Sequence, residues 1–159
     1  MTNSDFRIAA LPREHFTDCL RWSAAELRER GARWVVVDDC PGFPCRVSLV
    51  DAAPGERVLA LCYTHHDVAS PYRAAGPIFV RAGAVEARPG VNEVPDLLRH
   101  RRLSVRAYDA DCSMVDAGVV AGAELEDAIT GLFANAVVDY LHLHNAATGC
   151  YLCAVERAH

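Results

Sequence analysis

The chain has 159 residues, of which 52% are hydrophobic and 23% charged, and its formal net charge is −5. This length suits one domain with a continuous hydrophobic core, and the composition is far from that of a disordered chain. All sixteen basic residues are arginine, so Schiff-base chemistry, pyridoxal phosphate attachment and a Walker-type lysine are excluded, because each needs a side-chain amine. We expect a single domain over residues 1–159.

Partners and location are constrained by charge and hydropathy. The only dense basic run, residues 99–102, is short and lies in an acidic chain, so it does not predict nucleic-acid binding. The polar residues 1–7 lack the features of a signal peptide, and no apolar run reaches the ~18 residues that span a bilayer. We expect a cytoplasmic protein without a membrane partner. Its seven cysteines should then be thiols or metal ligands rather than disulfides.

The first half of the chain has the pattern of short strands joined by turn-rich loops. A helical stretch is predicted to open at Pro12. Ser23 and Glu26 have the spacing of a capping box, which predicts a short helix that ends at Gly31. Strands are predicted over residues 6–11, 34–37, 46–50, 58–63 and 78–80, and loops over residues 38–45, 64–75 and 82–92.

The second half contains the clearest periodic patterns. Leu125, Ile129, Leu132 and Phe133 fall at the spacing of an amphipathic helix. A short helix is also predicted over residues 95–99, and strands over residues 103–108, 114–120, 137–144 and 150–156. The last two strands form a hairpin around a five-residue loop, 145–149. The predicted fold class is α+β, a mostly antiparallel sheet of about six to eight short strands packed with two or three helices.

The C-terminal hairpin holds the best candidate site, His142-x-His144-Asn145-x4-Cys150-x-x-Cys153. Because side chains alternate along a strand, His142 and His144 share one face. If the loop closes so that His144 pairs with Cys150, their Cβ atoms lie ~5 Å apart on that face. Three potential ligands then converge, and such a set suits zinc or another transition metal as cofactor.

A zinc knuckle built on Cys150 and Cys153 is the alternative. In a continuous strand these two thiols point to opposite faces, whereas a knuckle needs a tight turn that aims both at one ion. Cys153 is therefore expected to pack in the core. The possible second ligand pairs, Cys40-x4-Cys45 and Cys62-x2-His65, have spacings that are not diagnostic.

Thiol catalysis is a further hypothesis. Cys45 or Cys150 would act as nucleophile beside an imidazole, with Asn145 orienting the ring. The imidazoles considered for this role are those of His65, His142 and His144.

Several arginines are candidates for binding an anionic small molecule. Arg73, Arg81 and Arg106 lie in or beside apolar segments. An arginine in such a place either pairs with a carboxylate or offers its planar fork to an anionic ligand.

Four sequence blocks resemble the bacterial domain of unknown function 1203, and they extend over nearly the whole chain. The blocks are residues 41–49, 71–81, 103–111 and 140–153. The residues that match the family pattern are Cys45, Arg46, His65, Tyr72, Arg73, Arg81, Arg106, His142, His144, Asn145, Cys150 and Cys153. Those outside it are Cys19, Cys40, Cys62 and His66. The chain departs from the pattern at Cys112, where a glycine is more usual in the hairpin turn.

The resemblance implies no activity, but it ranks the candidates. The catalytic candidates are His142, His144, Cys150 and Cys45. The substrate-binding candidates are Arg73, Arg81, Asn145 and Tyr72. The metal candidates are His142, His144, Cys150 and His65. Two hypotheses remain open: a small metal-dependent or thiol-dependent enzyme, and a non-catalytic binding or structural module in which the cysteines and histidines are structural.

Overall fold

A computed structural model describes residues 4–159, which contain eight strands and three α-helices. The strands are β1 (Phe6–Ala9), β2 (Arg33–Val36), β3 (Arg57–His66), β4 (Ala74–Arg81), β5 (Arg102–Tyr108), β6 (Met114–Ala121), β7 (Tyr140–Asn145) and β8 (Tyr151–Arg157). The helices are α1 (Ala24–Arg30), α2 (Asp96–Arg99) and α3 (Leu125–Phe133). The predicted α+β class is confirmed.

The strands form two antiparallel sheets. The larger sheet has the order β1-β8-β7-β5-β6, and the smaller sheet has the order β2-β3-β4. Three hairpins, β3–β4, β5–β6 and β7–β8, supply three of the six neighbouring pairs among the described residues. The N-terminal strand β1 pairs with β8, with Phe6 opposite Arg157. The predicted hairpins between β5 and β6 and between β7 and β8 are confirmed.

The main core lies between α3 and one face of the larger sheet. The apolar face of α3 is fully buried through Leu125, Ile129 and Phe133. It packs in one cluster with alternate residues of the central strands, Leu103, Val105, Leu141 and Leu143. Burial of each such side chain contributes about 1.5–3 kcal/mol. The opposite face of the larger sheet is thereby left for polar and aromatic residues.

The helices are short, and the first has the capping that the sequence predicts. Ser23 Oγ accepts the Glu26 amide at 3.2 Å, and Glu26 Oε2 accepts the Ser23 amide at 2.8 Å. Gly31 follows α1 with φ +67°, a conformation that glycine adopts without strain. No helix within residues 4–159 is long and apolar enough to cross a membrane.

The predicted strand over residues 46–50 is wrong. The segment turns: the Leu49 amide bonds the Cys45 carbonyl at 3.0 Å, and Leu49 has φ +50°. Two isolated β-bridges adjoin the turn: Pro44 pairs with Asp51, and Cys45 pairs with Phe79. Val47 and Leu49 are buried in this packed loop, whereas Val50 is 49% exposed.

The segment after Pro12 and the loop over residues 64–75 also differ from prediction. Two short 3-10 turns, Arg13–Phe16 and Cys19–Arg21, replace the helical stretch. Strand β3 continues to His66 and β4 begins at Ala74, so the connecting loop is shorter than predicted. The extra length of β3 brings His65 and His66 into the sheet.

Cys112 lies in the turn between β5 and β6 with φ +62°. This left-handed conformation favours glycine, because a Cβ atom crowds the backbone there. The conformation gives a physical reason for the glycine that the family pattern favours at this position.

Candidate histidine site

Four imidazoles from two sheets meet on the polar face of the larger sheet. His65 and His66 end β3, and His142 and His144 lie on β7. The His65 ring centroid is 5.2 Å from that of His144 and 6.2 Å from that of His142. The His142 centroid lies 6.4 Å from that of His144 and 4.8 Å from that of His66. We call His65, His142 and His144 the histidine triad.

A bulge in β3 aims two consecutive histidines at the same place. Neighbouring residues of a regular strand point to opposite faces. Between Tyr63 and His66 the β3–β4 register shifts, since Tyr63 opposes Gly76 while His66 opposes Ala74. Bulges re-aim side chains in this way and are common beside functional sites. Both His65 and His66 consequently contact His142.

The predicted pairing of His144 with Cys150 is wrong, because β8 contains a second bulge. Leu143 opposes Cys153, but His144 opposes Tyr151, so Leu152 is an extra residue in β8. The shift places the Tyr151 ring, rather than the Cys150 thiol, on the face of the histidines. Leu152 and Cys153 both enter the main core, and the predicted packing of Cys153 is confirmed.

Tyr151 contacts all three rings of the histidine triad. It stacks on His65 with a centroid distance of 4.9 Å and an interplanar angle of 11°. It meets His142 edge-on at 5.1 Å and His144 edge-on at 5.6 Å. The ring is buried with 4% exposure and belongs to the core cluster beneath the smaller sheet. Tyr151 therefore covers one side of the triad.

His66 has both ring nitrogens in hydrogen bonds. Its Nδ1 donates to the Tyr72 carbonyl at 2.7 Å, and its Nε2 accepts the Tyr140 hydroxyl at 2.6 Å. Tyr140 in turn stacks on Tyr108 at 5.2 Å. These satisfied bonds give His66 a positioning role beside the triad.

Each ring of the triad has one buried nitrogen without a hydrogen-bond partner. His144 Nδ1 donates to the Gly149 carbonyl at 2.9 Å, which leaves Nε2 with the lone pair. That Nε2 atom is buried and unpartnered, as are Nδ1 of His142 and Nδ1 of His65. His144 is 1% exposed and His142 is 6% exposed. An unsatisfied buried polar atom costs about 1–3 kcal/mol, so three in one cluster need an explanation.

Burial keeps the triad neutral. It lowers the pKa of His142 to about 3, and the neighbouring imidazoles act in the same direction, because a proton on one ring would repel a proton on the next. Burial is also the main cause that lowers the pKa of His144 and of His65 to about 4. Hydrogen bonding to the backbone at Gly149 and at Tyr63 acts in the opposite direction on these two rings. At neutral pH each imidazole therefore presents a lone pair.

Arg106 and Ser104 continue the polar face on β5. Arg106 lies opposite His142 and Ser104 opposite His144 in the β5–β7 register. Arg106 Nε donates to Ser104 Oγ at 3.2 Å. Both side chains are half-buried, so they lie between the buried histidines and solvent.

The cysteines do not join the histidines. Cys45 is fully buried, and its Sγ accepts the amides of Ser48 and Arg81 at 3.4 and 3.3 Å. Burial raises the pKa of the Cys153 thiol to about 12. Cys150 Sγ lies 4.0 Å from the Thr148 carbonyl oxygen, and within residues 4–159 no hydrogen bond links a cysteine thiol to an imidazole.

The predicted substrate-binding residues lie apart from one another. Arg81 donates to Glu56 Oε1 at 2.6 Å, near the far end of the β3–β4 hairpin from His65. Arg73 forms an exposed ion pair with Asp67 at 3.3 Å. Tyr72 and Asn145 lie nearer, since the Tyr72 carbonyl holds His66 and Asn145 follows His144.

No group of three or more His, Cys, Asp or Glu side chains within residues 4–159 is arranged to hold a metal ion. Ring spacing explains this for the triad. Zn–N bonds of about 2.0–2.1 Å place three bound imidazole centroids ~5.2 Å apart at tetrahedral angles. The His65–His144 spacing already has this value, whereas both spacings that involve His142 are longer.

The family model DUF1203, described as a protein of unknown function, matches residues 42–157. The chain belongs to this family. No curated protein and no solved structure matches the chain. The DUF1203 match includes both bulges and every residue of the triad.

Sequence reasoning on this DUF1203 chain missed two members of the site. His66 lies outside the family pattern that ranked the candidates, and Tyr151 is not among those candidates. The adjacent pair His65-His66 at a strand end was the available signal for a bulge. No local signal marked the extra residue Leu152 in β8.

Proposed function

We propose that this DUF1203 chain binds a divalent transition-metal ion of the zinc class through His65, His142 and His144. Three imidazoles with centroids 5.2, 6.2 and 6.4 Å apart, each with one buried and unpartnered nitrogen, carry the proposal. Neutral imidazole is a common ligand for zinc, copper, nickel and iron. Coordination would give each orphaned nitrogen a partner.

The environment of His144 supports a ligand role. Metal-bound imidazoles commonly donate their other N–H to a backbone carbonyl, which fixes the tautomer and the ring orientation. His144 Nδ1 has such a partner in the Gly149 carbonyl. Its Nε2 is thereby pre-organised as a lone-pair donor.

The rings need only a small rearrangement. His142 is the outlying member, with centroid spacings of 6.2 and 6.4 Å to its partners. A shift of about 1 Å toward the other two rings would give the spacing that a common ion requires. No hydrogen bond holds His142 Nδ1 against such a shift.

The donor set favours a functional site over a purely structural one. Structural zinc sites are closed by four protein ligands, whereas catalytic sites combine three protein ligands with an open position. The triad supplies three imidazoles, and Cys150 does not oppose His144. The open position would face the half-buried residues Ser104 and Arg106.

Titration of the metal-free chain with Co(II) tests the proposal, because its visible absorption reports tetrahedral coordination. We expect one equivalent to bind, and we expect His144→Gln to weaken binding by at least about 100-fold. His100→Gln removes an exposed imidazole outside the site and should leave binding unchanged. Cys150→Ser should also retain binding.

Two outcomes would contradict the proposal. One is a folded wild-type chain that binds no Co(II) or Zn(II) beyond what the His144→Gln variant binds. The other is loss of metal binding in Cys150→Ser with binding preserved in His144→Gln. That result would make the Cys150 thiol, rather than His144, the metal ligand. Circular dichroism of each variant establishes that the fold is intact.

A further inference from the structure

Strand β6 is an edge of the larger sheet, and among the described residues no strand pairs with its outer side. Just beyond its end, the Gly122 amide donates to the Arg101 carbonyl at 2.8 Å. Bonded residues alternate along an antiparallel pair of regular register, so the amides and carbonyls of Ala117 and Val119 point away from β5. The Ala117 amide donates to the carboxylate of its own neighbour, Asp116, at 2.8 Å. The outer side of β6 therefore offers backbone groups to an additional strand.

The other three sheet edges are short or protected. Strands β1 and β2 have four residues each, and Asn92 bonds the outer side of β1. Strand β4 contains Pro77, and its Phe79 carbonyl accepts the Arg46 amide at 3.1 Å. Strand β6 has eight residues, with no lysine and no proline, and its Val119 is 56% exposed. Because proteins usually protect an edge of this length, the free edge of β6 indicates a pairing partner.

A groove lies beside this edge, between β6 and α3, on the sheet face opposite the triad. Its volume is about 300 Å³, and the core residue Val105 forms part of its floor. Its walls include Gly118 of β6 and Gly131 of α3, and a Cβ atom added at either glycine would meet nothing within 4 Å. The charged groups that line it are Asp116 and Asp127, with no basic side chain among its described lining residues. The groove is therefore open and acidic.

We propose that an extended segment of a basic partner protein adds to the larger sheet as an extra strand paired with β6. Its backbone bonds the outward groups of Ala117 and Val119, as in other cases of strand addition. Alternate side chains enter the groove, where an arginine or lysine packs its apolar stem against Gly118 and Gly131. The charged end of that side chain reaches the two carboxylates of the groove. This inference is independent of the proposed metal site.

The charges favour a basic partner over a second copy of this chain. A two-fold pairing of β6 with β6 uses the same surface patch twice, so it brings the acidic grooves of both copies together. Asp116 and Asp127 would then be doubled at the joint, with no basic side chain among the described lining residues to offset them. Like charges placed together in an interface oppose association. A basic segment instead gains from both carboxylates.

Fluorescence anisotropy with the full chain and two labelled, capped peptides tests the proposal. The first peptide, Thr-Val-Arg-Val-Arg-Val-Thr, presents arginine on one face of a strand and valine on the other. The second has glutamate in place of each arginine. We expect the arginine peptide to bind and the glutamate peptide to bind at least about 10-fold more weakly. Added salt should weaken binding of the arginine peptide.

Variants of the full chain locate the contact. Gly118→Val fills the groove from a position with open space around it, and valine favours strands, so the fold should persist while binding weakens at least about 10-fold. Asp116→Asn and Asp127→Asn keep side-chain size and should each weaken binding about 2–5-fold. Asp18→Asn removes an exposed carboxylate outside the groove and is the matched control. Hydrogen exchange of the Val119 amide should slow when the arginine peptide binds.

Each contrary result has a definite meaning. Equal binding of the two peptides would overturn the choice of a basic partner. Peptide binding that is unchanged in Gly118→Val, or that leaves the Val119 amide unprotected, would overturn the docking site, as would a folded chain that binds neither peptide. Light scattering adds the remaining outcome: a dimer of the wild type that Gly118→Val dissociates would make a second copy the occupant of the edge. Circular dichroism establishes that each variant is folded.

Discussion

The rings of His65 and His144 come from different sheets, yet their centroids lie 5.2 Å apart with an interplanar angle of 78°. This contact joins the end of β3 to the middle of the larger sheet. Tyr151 packs against both rings from below. The candidate site therefore depends on how the two sheets pack, in addition to the hairpin that carries His142 and His144.

The metal-free chain should lose stability as the pH falls from about 6.5 toward 4. The His142 pKa is about 3 in the folded chain and about 6.5 in an unfolded chain, so over this range the unfolded state binds more protons. Each such imidazole changes the free energy of unfolding by at most about 1.4 kcal/mol per pH unit. Urea denaturation at several pH values measures the slope. His142→Gln should flatten it and the exposed-site variant His100→Gln should not; equal slopes in all three proteins would refute the buried neutral state.

Tyr140→Phe should destabilise the chain by about 1–3 kcal/mol, because it leaves the buried His66 Nε2 without its donor. Tyr72→Phe is the matched control, since that ring is 39% exposed and holds His66 through its backbone carbonyl alone. Chemical denaturation of both variants gives the comparison. Similar losses in the two variants would argue against a specific role for the Tyr140 hydroxyl.

Gly122→Ala should destabilise the fold by more than about 3 kcal/mol, because overpacking against backbone has no cheap relief. A Cβ atom at Gly122 would lie 1.8 Å from the Leu98 carbonyl oxygen, where the end of α2 meets the start of the segment before α3. Gly131→Ala in α3 meets open space and should instead stabilise by about 0.5–1 kcal/mol. In thermal unfolding, the midpoint temperature should fall for Gly122→Ala and rise for Gly131→Ala. An unchanged midpoint for Gly122→Ala would disprove this close contact.

Thiol labelling of the native chain should separate the cysteines by burial. Cys40 and Cys62 are exposed and should react rapidly, whereas Cys45 and Cys153 are fully buried and should react only after unfolding. Mass spectrometry of the labelled chain identifies each position. Rapid labelling of Cys45 in the native chain would support the hypothesis that Cys45 is a nucleophile, because a reactive cysteine must be both accessible and ionised.

Much of the fold follows from local sequence signals. The helix over Leu125–Phe133 comes from one apolar stripe, and α1 comes from the capping box at Ser23 and the glycine at its end. The hairpins β5–β6 and β7–β8 come from alternation around turn residues. These signals succeed because each involves residues that are near in sequence.

Other features required the tertiary structure. The turn at residues 46–50 carries the composition of a strand, yet its carbonyls and amides bond within a packed loop. Alternation correctly placed His142 and His144 on one face and Cys153 in the core. It failed at Cys150, because the extra residue Leu152 shifts the register by one position.

The sequence by itself determined that His142 and His144 stand side by side, because adjacent positions on a strand face depend only on the pleat of the backbone. Only the tertiary structure decided which other side chains lie beside these two rings. The two bulges and the packing of β3 against the larger sheet bring in His65, His66 and Tyr151 and leave Cys150 aside. The contacts of His65 and His66 with β7 join residues more than seventy positions apart, with His65 and His144 as the clearest pair, and no local pattern specifies them.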